Sequence, residues 1–291
     1  MSLNLTKVAA QVSNMVTRLK GGRAEREKRL QHALDIAGSE AIDLEELKKK
    51  IASSKTTWLV ADLVEAIASH YEAPPTPPDF TVIATDGSHI DVDRHRSTRC
   101  YLLNIGSAVL HYGVEPTADL DSLPRLYAED EELVIVPTGT KGREQPIEGT
   151  LLGIKRAVEE CGKLAELASG QPTGSVNLAL LDGSLILWGL EAYPEFVAEA
   201  LLDKGFIPCL EEVRKLNRDR RVALASYISF PRSTDVVNVL RVAICPHHPA
   251  DCDRFCPPGK NRDCDEVAGV QDRELFLNLL GRGERSALFI S

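Results

Sequence analysis

Two short apolar runs, each halted by the same tripeptide, constrain this chain more than any other feature. Ile83-Ala-Thr runs into Asp86-Gly-Ser88, and Leu180-Leu runs into Asp182-Gly-Ser184. An apolar run without polar alternation reads as a buried strand of the kind found in helix-covered sheets. At a strand's C-terminal end an aspartate is held by rigid backbone and projects into the crevice where α/β sheets bind ligands. The glycine behind it permits close approach or a positive φ, so a tight turn is expected at each copy. Two carboxylates delivered on adjacent strands repel unless they share a proton or a cation. Hard divalent cations take oxygen ligands, and phosphoryl chemistry uses such pairs to hold Mg²⁺ or Mn²⁺. A single Asp-Gly is most often only a turn; it is the matched pair after matched strands that favours a site.

The surrounding pattern supports a mixed α/β domain. The 291 residues are 43% hydrophobic and 26% charged, which excludes a disordered or collagen-like chain. Strands are expected at 80–85, 133–137, 176–181 and 222–228, with a bent strand or hairpin at 101–112 broken by Gly106. The acidic segment 119–132 reads as a solvated excursion. Leu151, Ile154, Val158, Cys161, Ala165 and Ala168 recur at helical spacing, giving an amphipathic helix over 148–169. Further helices are expected near 194–204 and 209–219, and from about Ser233, with Asp235 in the first turn. Strands lying partly side by side and partly separated by helices imply a mixed sheet.

A third acidic ligand would complete a cation site, and the helix at 148–169 offers Glu148, Glu159, Glu160 and Glu166. Glu159 has Lys155 and Lys163 four residues to either side and reads as a salt-paired surface residue. Glu160 adjoins Cys161 on the buried stripe and is the better candidate.

Residues 1–72 read as a helical N-terminal arm, rich in Arg, Lys and Glu. Residues 73–79 follow as a spacer, in which Pro74, Pro75, Pro77 and Pro78 cannot continue a helix. The arm is slightly basic, and the remainder carries the acidic excess of a chain whose formal charge is −9. Uniform basicity is therefore excluded as a way of coating nucleic acid, while a local basic rim is not. Candidates for such a rim are Arg94, His95, Arg96 and Arg99, then Arg218, Arg220, Arg221 and Arg232. His89 follows the first Asp-Gly-Ser and reads as a substrate contact or a structural histidine.

Four of the seven cysteines, Cys245, Cys252, Cys256 and Cys264, fall within 245–264 together with His247 and His248. Soft ligands in a proline-rich loop suit Zn²⁺ or an iron–sulfur cluster. The spacing lacks Cys-x-x-Cys, so a loop of reduced thiols or a disulfide stays open as the alternative. Cys100, Cys161 and Cys209 stand alone in apolar contexts and read as small core residues. An odd cysteine count with no basic-then-apolar leader points to a reducing, cytoplasmic setting. No run approaches the roughly 18 apolar residues of a membrane span.

The stretches Ala84-Thr-Asp-Gly-Ser-His89, Leu181-Asp-Gly-Ser-Leu185 and Tyr227-Ile-Ser-Phe-Pro-Arg-Ser233 resemble the NurA nuclease family over roughly 80–290. The resemblance implies an RNase H-like mixed sheet flanked by helices and a Mn²⁺-dependent (or Mg²⁺-dependent) deoxyribonuclease. It also implies a homodimer acting at DNA ends with the hexameric HerA translocase in double-strand break repair. Carried over by position, Asp86, Asp182 and Glu160 would be both metal ligands and catalytic residues, and of the basic candidates above Arg94, Arg96, Arg99 and Arg232 are the ones expected to contact DNA. Because the family continues with further strands and a polar C-terminal residue, the nuclease domain expected at 80–291 is incomplete at its end. Two other readings stand beside this one: a non-catalytic adaptor docking on a ring translocase through the helical arm, and a phosphatase-like enzyme with Asp86 as nucleophile. The last usually needs a second aspartate where this chain has Ser88.

Overall fold

The computed structural model describes residues 4–39, 42–91, 99–137, 139, 143–257 and 262–290. In chain order the main elements begin with helices α1 (Leu5–Ala37) and α2 (Leu44–Ser53). Strands β1 (Phe80–Asp91), β2 (Tyr101–Tyr112) and β3 (Thr117–Tyr127) follow, then helix α3 (Thr150–Ser169), strand β4 (Asn177–Asp182), helix α4 (Ile207–Arg220) and strand β5 (Val222–Tyr227). Helices α5 (Asp235–Ala243) and α6 (Asp272–Leu279) complete the set. The chain divides into two compact units, one of residues 76–229 and the other of residues 1–75 with 230–291.

The 76–229 unit is a five-stranded sheet in the order β3-β2-β1-β4-β5, flanked by helices. The first three strands run antiparallel, and β4 and β5 lie parallel to β1 and to one another. Period-two burial along β1 shows how the sheet is used. Thr81, Ile83 and Thr85 are buried, Val82 and Ala84 are half-buried, and Asp86 is exposed. The buried row meets the apolar stripe of α3, where Cys161, Leu164, Ala165 and Ala168 pack with Ile83, Ala179 and Leu181. Each large aliphatic side chain so enclosed contributes about 1.5–3 kcal/mol. A second cluster joins Tyr101 and Leu103 of β2 to Leu151, Leu152 and Ile154 of α3. One buried hydrogen bond fixes the helix along the strand, as the Thr85 hydroxyl donates to the Glu160 carbonyl at 3.0 Å.

Three local expectations are corrected here. Residues 101–112 form one continuous strand, without a break at Gly106. The acidic segment is not an excursion: Thr117–Tyr127 pairs along the whole of β2 as an edge strand, exposed at every residue except Tyr127. An edge strand lacking an apolar face carries no alternation to betray it. The first Asp-Gly-Ser is no turn either, because β1 continues through it to Asp91, with Gly87 opposite Ile105. Only the second copy ends its strand.

In the 1–75 and 230–291 unit, the C-terminal half of α1 and helix α2 enclose a core with α5 and α6, built around Ala33, Ile51, Val237, Leu240 and Leu275. Asp272, buried at the start of α6, accepts from the Val237 backbone N–H at 2.9 Å and the Ser233 hydroxyl at 2.6 Å. It thereby satisfies the N-terminus of α5. Short antiparallel pairs join Asp62–Leu63 to Phe289–Ile290 and His70–Glu72 to Glu284–Ser286. The N-terminal half of α1 leaves Leu5, Val12, Met15 and Leu19 exposed. Among the described residues no helix is long and apolar enough to cross a membrane.

Candidate active site

Parallel pairing of β1 with β4 aligns Thr85 with Leu181, so Asp86 and Asp182 follow at equivalent positions on neighbouring strands. Both line one cavity of about 450 Å³, together with Asp121 of β3 and Tyr227 of β5. The floor is small and apolar, formed by Ala84, Ala108 and Leu180. Gly106 stands opposite Asp86 and presents no side chain beside it.

The two glycines of the repeated motif serve different ends. Gly183 has φ +100°, a conformation that other residues adopt only under strain, and it turns the chain after Asp182. Gly87 is ordinary strand backbone, where a Cβ would strike the Glu160 Oε1 and lie 3.0 Å from Arg156 Cγ. Its role is to let Glu160 approach the strand.

Glu160 comes in from α3 against Gly87 and is 3% exposed. Arg156, one turn earlier, brings its Nε to 3.0 Å from Oε1. The contact is off the line of the N–H, so both atoms are buried without a hydrogen bond. Burial pushes the Glu160 carboxyl up to about 7; the Arg156 charge and the Gly87 amide pull it back, and Asp86 and Asp182 add to the rise. The carboxylates are thus near enough for each charge to be felt, yet Glu160 is not part of the cavity lining. Among the described residues, no three His, Cys, Asp or Glu side chains are grouped as a single metal ion requires. The donor chemistry nevertheless suits a hard cation: Asp86 and Asp182 share one cavity, and Glu160 holds a buried oxygen without a hydrogen bond.

Glu159 is less solvated than its lysine neighbours suggested. It accepts the Tyr127 hydroxyl at 2.6 Å and pairs with Lys155 at 3.0 Å, while Lys163 turns to Glu166. Burial, with the Glu159 bond adding to it, pushes the Tyr127 phenol up to about 12. Of the basic candidates, Arg94, His95 and Arg96 lie outside the described residues. Arg99 is exposed and borders a small pocket with Asp91 and Glu148. His89, Arg218, Arg221 and Arg232 are exposed, and none of them lines the aspartate cavity. Cys161 is buried as expected, whereas Cys100 and Cys209 are half-buried. Sequence reasoning missed Asp121 and Tyr227. Asp121 was hidden in the segment taken for an excursion, and Tyr227 stood within a quoted motif but was given no role.

Among solved structures, the NurA nuclease from Sulfolobus solfataricus shares 12% identity, with a TM-score of 0.33, 84% of this chain and 68% of that chain covered. The Prototype Foamy Virus protease–reverse transcriptase shares 12%, with a TM-score of 0.27, 60% of this chain and 21% of that one covered. Comparison with curated proteins gives no match. The family model described as the NurA domain matches residues 80–291, from the start of β1 to the end of the chain. The chain belongs to the NurA domain family.

Proposed function

We propose that this chain is a metal-dependent deoxyribonuclease of RNase H-like architecture that hydrolyses DNA phosphodiesters. The observation that carries the reading is the pair Asp86 and Asp182, presented from adjacent parallel strands into one cavity, with the buried carboxylate of Glu160 behind them. The strand order, with the first three strands antiparallel and the fourth and fifth added parallel to the first, agrees with that architecture.

Asp86 and Asp182, joined by Glu160, would hold Mn²⁺ or Mg²⁺, which when bound supplies stabilisation of charge developing on the phosphate oxygens. The chain's own residues do the rest. The small floor of Ala84, Gly106 and Ala108 admits a sugar–phosphate backbone close to the aspartates. Tyr227 offers a hydroxyl donor at the rim. Glu160, its carboxyl pushed up to about 7 by burial, would be drawn toward its anionic form by a cation held at the aspartates. Action at DNA ends, a homodimeric state and partnership with a HerA-type ATPase belong to the same proposal.

The test is degradation of linear DNA with Mn²⁺ against EDTA, comparing wild type with Asp182→Asn. Loss of a charged group that acts on the transition state costs on the order of 10²–10³ in rate. Full activity of Asp182→Asn in a clean preparation overturns the assignment. The exposed Leu5, Val12, Met15 and Leu19 of α1 favour a second reading, a non-catalytic adaptor that docks on a ring translocase. Co-purification with such an ATPase without metal-dependent cleavage would support it.

A further inference from the structure

We propose that Cys245, Cys252, Cys256 and Cys264 bind an iron–sulfur cluster through their four sulfurs. This site lies in the unit formed by residues 1–75 and 230–291 and is separate from the carboxylates of the nuclease proposal.

The backbone here is arranged around the cysteines. Cys245 follows α5 and its carbonyl accepts from Lys50 Nζ at 2.6 Å. Cys252 opens a single helical turn whose N-terminus is capped by Asp251, and the Cys256 N–H closes the turn on the Cys252 carbonyl at 3.0 Å. Residues four apart on such a turn share a side. Cys264 sits on the 3₁₀ turn Asp263–Val267, where Arg241 Nε donates to its carbonyl at 3.2 Å and Arg241 Nη2 lies 3.9 Å from its sulfur.

The side chains then converge on one space. Cys245, Cys256 and Cys264 line a cavity of about 150 Å³, flanked by His247, Phe255 and Arg262. Cys252 is buried, and all four thiols are free of disulfides. Cys252 lies one helical turn from Cys256, which places the fourth cysteine within a turn of the three that line the cavity.

The cavity decides between the two metal chemistries that suit thiolates. A single zinc ion draws its sulfurs to one point at about 2.3 Å. A cluster stands its sulfur ligands apart across an inorganic core, which suits Cys245, Cys256 and Cys264 placed around a cavity of about 150 Å³. Charge agrees as well, because four thiolates on a cluster leave a net negative centre. Lys50 and Arg241, with Arg262 on the cavity wall, surround it with positive charge and N–H donors, which also tune such centres. On assembly four S–H protons pass to solvent and four Fe–S bonds form, with ferrous and ferric iron and inorganic sulfide as the supplied reactants, so that no iron changes its oxidation state.

The test is anaerobic isolation of the full chain, followed by reconstitution with ferrous and ferric iron and sulfide. The expected result is a broad absorption band near 400 nm, with iron and acid-labile sulfide in equal amounts of about two or four per chain. Cys256→Ser and Cys264→Ser should each lower bound iron by about tenfold, while Cys161→Ser leaves it unchanged. Alkylation of wild type keeps the result readable if a variant fails to fold. In the loaded protein Cys100 should react while the four cluster thiols stay protected, and oxidative removal of the iron should expose them. Bound zinc in place of iron, or no bound metal with all four thiols alkylated, overturns the proposal.

Discussion

Replacing Gly87 by alanine tests the central contact of the candidate site. A Cβ at this position meets the Glu160 carboxylate oxygen head-on and presses on Arg156 Cγ at 3.0 Å and Ile105 Cδ1 at 3.1 Å. The backbone of Gly87 carries no positive φ, so the whole effect is steric. Glu160 is 3% exposed and its backbone carbonyl is fixed by Thr85, so the carboxylate cannot simply swing into water. Overpacking of a filled site costs about 1–3 kcal/mol, and each kcal/mol lowers the midpoint of a thermal melt by roughly 2–4 °C. Gly106→Ala, on the neighbouring strand, is the control: its added carbon would lie 3.4 Å from the Asp86 carbonyl, an ordinary contact, and should change stability by less than about 0.5 kcal/mol. The decisive measurement is a double-mutant cycle. In a Glu160→Ala background the obstructing oxygen is gone, and the cost of Gly87→Ala should fall below about 1 kcal/mol. An undiminished loss in that background would show that Gly87 is not there to admit Glu160.

Three further outcomes follow from the same contacts. In EDTA, the stability contributed by Glu160 should be fully present below the ordinary carboxyl value of 4.5 and be lost as pH rises to about 7, because the folded chain holds the Glu160 proton more tightly than the unfolded one. The total is about 3 kcal/mol at most, and urea melts of Glu160→Gln across this window should lack that part of the wild-type slope. Asp272→Ala should cost about 1–3 kcal/mol by leaving the buried Val237 N–H unpaired, and an unchanged urea midpoint would refute the capping role. If the aspartates hold a cation, Mn²⁺ at a hundredfold excess over its dissociation constant should stabilise wild type by about 2.7 kcal/mol, and calorimetry of Asp86→Asn should show no such gain.

Much of the sheet was legible because burial writes itself into composition. β4 and the stripe of α3 face one another across the core, and both were readable as apolar runs of the right period. β3 was not, since an edge strand exposed along its length has the composition of a loop, and only its pairing with β2 defines it. The repeated Asp-Gly-Ser pointed to two carboxylates that line one cavity, and misjudged the backbone at the first. Sequence cannot distinguish a glycine required for its φ from one required by a neighbour, and the neighbour here is Glu160, more than seventy residues away. Glu160 itself was readable from its place beside Cys161. Asp121 was not, because its part in the cavity depends on where β3 is added to the sheet.

The division of the chain has a consequence for the order in which a ribosome releases it. Residues 76–229 form an uninterrupted stretch that can complete its sheet as soon as it has emerged. Helix α1 is made before that stretch but belongs with α5 and α6, which are made after it, so Ala33 and Ile36 wait for Leu240 and Leu275. Throughout that interval the side of α1 that they occupy lacks its partners. A nascent chain of this protein therefore needs chaperone protection at α1 until α6 has emerged, and a pause in synthesis just before residue 230 would prolong that need.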